Sequence, residues 1–272
     1  MRLSLYIIGE TAFGQSFEMV KDDVHPVPAE RVKVRRAAGE KGRRADLLQY
    51  LIDAQANERA NGSGETGNEY EDMISGKLTD KAVETEACVF LIAGSETSST
   101  AMTFTLMFLV QNQDKLAKLR EELDLATASN APGTLPSYDQ VRNLPYLTGC
   151  INESLRLRPV AATGLPREVN EDVTMKGYFL SKGTILLPQL PHLHWSDEYF
   201  PQADKCIPER WIPEELPFHP SRMRLILATL VLTYDIGLVP NQREDYVQYI
   251  TTGLATESYI ITMRRKEEKG EA

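Results

Sequence analysis

Two stretches of this 272-residue chain crowd chemically capable side chains together. The first, Ala93-Gly94-Ser95-Glu96-Thr97-Ser98-Ser99-Thr100, sets a glycine, one carboxylate and five hydroxyls between two apolar runs, 89–92 and 102–110. On a buried helix such a notch must be satisfied by water, a partner or a ligand. The second, Glu153-Ser154-Leu155-Arg156, places a carboxylate and a guanidinium three residues apart, on one helix face where they can pair. Standing alone, that spacing is equally met in a surface ion pair. Three cysteines, Cys88, Cys150 and Cys206, are an odd number without Cys-x-x-Cys spacing. A disulfide framework or zinc ribbon is therefore not expected, and a reducing compartment is.

Helices must carry these groups. From Thr79 or Asp80, both good N-caps, to about Val110 no proline intervenes, which predicts a helix of roughly 45 Å. The apolar flanks predict that it is buried nearly all round. Residues 46–54, 113–125, 146–157 and 223–232 have helical spacing. Residues 3–19 read as a short helix or entry segment, and 21–42 as loop and then helix. The basic run Arg31, Lys33, Arg35, Arg36 reads as a solvated helix face. The Gly-rich stretch within 61–78 predicts a flexible loop. Alternation around Gly177 and Gly183 predicts short strands over 172–176, 178–180 and 184–187. A last strand is expected over 259–263, then a frayed, charged tail over 264–272.

With 30 Lys plus Arg against 39 Asp plus Glu, the net charge is −9, and 42% of residues are hydrophobic. Those proportions describe a globular protein and argue against binding nucleic acid or anionic membranes. No apolar run approaches the ~18 residues that span a bilayer, and the opening Met1–Gly9 lacks a signal-peptide cleavage site.

Three motifs in order carry a resemblance: Ala93-Gly94-Ser95-Glu96-Thr97-Ser98, Glu153-Ser154-Leu155-Arg156, and Pro208-Glu209-Arg210-Trp211. Between the second and third lie Gly164-Leu165-Pro166-Arg167 and His194-Trp195-Ser196-Asp197. Together they resemble the cytochrome P450 family, in wording most similar to its fungal members, over the C-terminal two-thirds of the fold. The resemblance implies a mainly α fold with a small β region, haem b, electrons from NADPH through a P450 reductase, and oxygen insertion into a small hydrophobic organic substrate. It implies that Thr97 bonds bound dioxygen or its water and that Glu96 relays protons, beside Gly94 over the haem. Arg167 matches a position that meets a haem propionate, and His194 one where the family has His-Arg; here Trp195 replaces that Arg. Glu153, Arg156 and Arg210 match a buried structural triad. Proteins of this kind sit on the endoplasmic reticulum through an N-terminal helix.

The family's ligand loop, Phe-x-x-Gly-x-Arg-x-Cys-x-Gly, should follow Trp211 and precede the next helix. Instead the chain reads Ile-Pro-Glu-Glu-Leu-Pro-Phe218-His219-Pro220-Ser221-Arg222-Met223, and no cysteine follows Cys206. Cys88, Cys150 and Cys206 are expected at core positions rather than as ligands. His219, a lone His beside prolines, is expected to be plain loop, so no metal ligand is assigned. The resemblance begins at Ile7–Gly14, inside the family fold, so the anchor and first strands are expected to be missing. The 26 or so residues before Asp46 cannot supply the paired roof helices. The expectation is one partial domain over 1–272, inactive as written and cytoplasmic or unstable. It is a remnant or a partner-binding helical scaffold, with apolar surface uncovered on helices 80–110 and 146–157.

Overall fold

The computed structural model describes residues 28–61, 68, 71–72, 75–131, 133–212, 223–248, 251–254 and 259–266. The expectations for 3–19, for most of 61–74, for the stretch 213–222 with His219, and for the tail from 267 lie outside these residues.

The chain divides into two compact units, 1–99 and 100–272. In the first, α1 (Pro28–Ala38), a 3-10 turn (Gly39–Gly42) and α2 (Leu47–Ala60) precede α3 (Asp80–Gln111). Asp46 caps α2 by accepting from the Gln49 amide at 2.8 Å, and Thr79 caps α3 through the Ala82 amide at 3.0 Å. These caps satisfy amides that the helices cannot reach. Val83, Ala87 and Leu91 of α3 pack with Val32 of α1 and Leu48 of α2. Four-residue spacing makes this a single stripe, so this half of α3 is covered on one side and exposed on the other: Cys88, Val89 and Ile92 face outward. All-round burial, and a core place for Cys88, are thereby corrected. The basic run is corrected too. Arg35 is buried against Asp46 at 2.9 Å, and Arg36 pairs with Asp80 at 2.9 Å, so it ties the unit together and is not simply solvated.

The second unit takes the rest of α3 from Thr100, then α4 (Gln113–Ala126), α5 (Tyr138–Val141) and α6 (Pro145–Leu157). It continues with β1 (Arg167–Glu168), β2 (Val173–Met175), β3 (Tyr178–Leu180), β4 (Ile185–Leu186) and α7 (Leu190–His194). A 3-10 turn (Pro208–Trp211), α8 (Met223–Thr233), β5 (Tyr234–Leu238), β6 (Tyr246–Gln248), β7 (Thr252–Leu254) and β8 (Ile261–Arg265) complete it. The fold is mainly helical with a small β region. Its core joins Leu109 and Val110 of α3, Leu116, Leu119 and Leu123 of α4, Leu147 and Ile151 of α6, and Leu227 and Val231 of α8. Here Ala101, Met102, Phe104, Met107, Leu109 and Val110 are buried. α6 is the best covered helix of the unit, against the expectation that it would be bare: the 3-10 turn, α4 and α8 all pack on it.

Among the described residues the β region consists of four two-stranded antiparallel ladders. β5 pairs with β8, which runs through Arg264 and Arg265, so the ordered strand outlasts the expected boundary at Met263. β1–β4 and β2–β3 share one register: Glu168 faces Ile185, and Thr174 faces Phe179. Residues 167–186 are thus a single hairpin ribbon, bridged by the Val169 amide to the Thr184 carbonyl at 2.9 Å. Its tip, Lys176-Gly177, takes φ of 49° and 86°, the left-handed pair that a two-residue hairpin turn requires.

Candidate functional site

Glu153 and Arg156 are 0% and 2% exposed, so the polar groups of both must be met inside the protein. Each is nearly saturated. Arg156 donates from Nε to Glu153 Oε2 at 2.9 Å and from Nη2 to Oε1 at 2.8 Å, the planar two-point pairing that a guanidinium alone can make. The Ile207 amide gives Oε1 a further donor at 2.9 Å, and Trp211 Nε1 donates to Oε2 at 2.8 Å. Arg210 Nε adds a longer bond to Oε1 at 3.3 Å. Burial pushes the Glu153 carboxyl up, but the bonds from Arg156, Ile207 and Trp211 outweigh it and hold its pKa below the ordinary value.

The other face of Arg156 collects main-chain carbonyls: His194 at 2.6 Å, Ala203 at 2.8 Å and Lys205 at 3.1 Å. One side chain on α6 thereby fixes the last residue of α7 and two points of the irregular segment that follows it. Arg210 Nη2 fixes a fourth, the Gln202 carbonyl, at 2.8 Å. Gly149 lets the segment come close: a Cβ there would lie 2.6 Å from the Pro208 carbonyl oxygen. Lys118 of α4 holds Glu209 at 2.7 Å.

His194 belongs to this cluster. Its Nδ1 lies 3.2 Å from the Arg156 carbonyl, and its ring meets Phe200 edge-on at 6.1 Å. Burial, with the Arg156 charge adding to it, lowers its pKa and favours the neutral ring. Trp195 donates from Nε1 to the Leu157 carbonyl at 3.1 Å, covering the C-terminus of α6, with the Arg158 guanidinium over its ring at 5.2 Å. The sequence names Trp195 and Trp211 within motifs but does not single them out as donors. An indole N–H is a donor that usually finds a partner, and that is the signal that would have found them.

The remaining sequence-selected residues lie elsewhere. Gly94, Glu96 and Thr97 sit within α3, on the segment belonging to the first unit. Three of the notch's five hydroxyls bond their own helix: Ser95 donates to the Ile92 carbonyl at 3.2 Å, Thr97 to Ala93 at 2.7 Å and Ser99 to Glu96 at 3.1 Å. Glu96 and Thr97 are exposed. The demand for an outside partner, expected from a helix buried all round, therefore weakens. Arg167 is exposed at the start of β1 and donates to the Pro166 carbonyl at 3.1 Å.

Cys206 borders a cleft of about 760 Å³ together with Phe108, Lys115, Leu157, Ile207 and Glu209. Burial, and then the Glu153 carboxylate, push its thiol up to about 12. Burial also raises Cys150, which lies in the core. Among the described residues no three His, Cys, Asp or Glu side chains are grouped to hold a metal ion, and no helix is long and apolar enough to cross a membrane.

Known proteins place this geometry. The chain is 29% identical to cytochrome P450 monooxygenase acrD of Aspergillus aculeatus, over 318 residues that take in 97% of this chain and 62% of that protein. It is 28% identical to cytochrome P450 monooxygenase mpsF of Macrophomina phaseolina over 308 residues, 96% of this chain and 74% of the relative. Cytochrome P450 3A13 of Mus musculus is 33% identical over 183 residues, 67% of this chain and 33% of its own. Both fungal alignments are longer than the 272-residue chain itself, so each relative carries internal segments without a counterpart here. A crystal structure of a cytochrome P450, CYP102L1, superposes with a TM-score of 0.76 at 23% identity, covering 97% of this chain and 67% of that one. The cytochrome P450 family pattern matches residues 2–226. With that match spanning most of its length, the chain belongs to the cytochrome P450 family.

Proposed function

We propose that this chain is a P450-lineage scaffold that keeps the structural clamp around Glu153 and does not carry out haem-thiolate oxygen insertion. The observation behind this reading is the chemistry of its thiols. No cysteine stands between Trp211 and the helix at Met223, where the resemblance puts the ligand, so within these 272 residues an axial thiolate would have to come from Cys88, Cys150 or Cys206. A thiol must lose its proton to bind iron. Burial raises Cys150 and Cys206, with the Glu153 carboxylate adding to it at Cys206, Cys88 lies on the outer side of a helix, and none of the three stands between Trp211 and Met223, where the resemblance puts the ligand. This donor set does not fit a thiolate-ligated haem b, and no catalytic step is derived through one.

The sequence corresponds to the C-terminal two-thirds of a family protein with internal blocks removed. The fungal alignments, each longer than the chain, support this, as do the altered joins near Pro28 and Phe218. The family match over residues 2–226 supports reading the chain as one partial domain. In an intact relative, positions matching Glu96 and Thr97 would manage protons and water, and those matching Gly94, Arg167 and His194 would border the haem. NADPH would supply electrons through a P450 reductase, and a small hydrophobic substrate would take the oxygen, at the endoplasmic reticulum.

A second reading, a helical scaffold that binds a protein partner, is favoured by the outward Val89 and Ile92 on α3 and Tyr50 on α2. Haem-independent capture of a full-length P450 or its reductase would support it. The direct test of the main reading is the reduced, carbon-monoxide-bound spectrum of the purified chain supplied with haem. We expect no thiolate-type Soret band, and such a band would overturn the assignment.

A further inference from the structure

We draw no further inference here: the strongest candidate, the cleft of about 760 Å³ between the end of α3, the start of α4 and residues 202–209, carries nothing, because its Lys115 is held by Asp114 and Glu209, its Lys205 by Gln202, and nothing among the described residues shows what ligand it would select.

Discussion

The Glu153 cluster and the α3 notch both match motifs of one family, yet they differ in how their polar groups are satisfied. Around Glu153 the local Arg156 pair is joined by partners from far along the chain: Ile207, Arg210 and Trp211 reach a residue more than fifty positions earlier. In the notch Ser95, Thr97 and Ser99 each bond a carbonyl three or four residues back on their own helix. The first arrangement joins segments and exists only in the folded chain. The second exists in any stretch of this helix. Long-range satisfaction therefore marks what holds the fold together, and the local kind marks bonds that any isolated turn of the same helix can make.

Removing the acceptor at the centre of the cluster should cost most. Glu153→Ala leaves the buried Arg156 guanidinium without its carboxylate, and we expect a loss of about 3–5 kcal/mol in urea unfolding. Gly149→Ala comes next. Its new methyl meets the Pro208 carbonyl at 2.6 Å, which should cost about 1–3 kcal/mol as the segment moves away.

Acid should loosen the same cluster in two stages. His194 has a lowered pKa in the fold, so neutral His194 favours folding at neutral pH. That contribution fades as pH falls below the unfolded value of 6.5. Glu153 is also lowered, so its contribution is complete above the unfolded value of 4.5 and is lost as pH falls through the lower folded value. Denaturation followed against pH should show a shallow decline below 6.5 that His194→Gln removes, then a steeper one below 4.5 that remains. The smallest effect should be Thr97→Val. An exposed hydroxyl bonded to its own helix should be worth less than ~0.5 kcal/mol when exchanged for a methyl.

Much of this was legible in the sequence because it is local. The span of α3, its cap at Thr79 or Asp80, and the Glu153–Arg156 spacing follow from capping and helical period, and both act within a few residues. What escaped is set by tertiary packing. Hydrophobic content suggested that the Val89–Ile92 run was buried, but only the Val83–Ala87–Leu91 stripe meets a neighbour. The 146–157 helix was expected to be bare because its family partners are missing, yet the Pro208–Trp211 turn, α4 and α8 cover it. Arg35 read as solvated because charge runs usually are, and nothing nearby announces that Asp46 reaches it. The two indole donors lay inside motifs read for their charges, and their hydrogen bonds appear only once the chain has folded back.

The contrast between cluster and notch reduces to one side-by-side measurement, the urea stability of Glu153→Ala and Thr97→Val against the wild type. The account predicts a large loss for the first and almost none for the second, a gap of several kcal/mol. Similar losses from the two substitutions would contradict it, because the notch would then be as tightly built into the fold as the clamp.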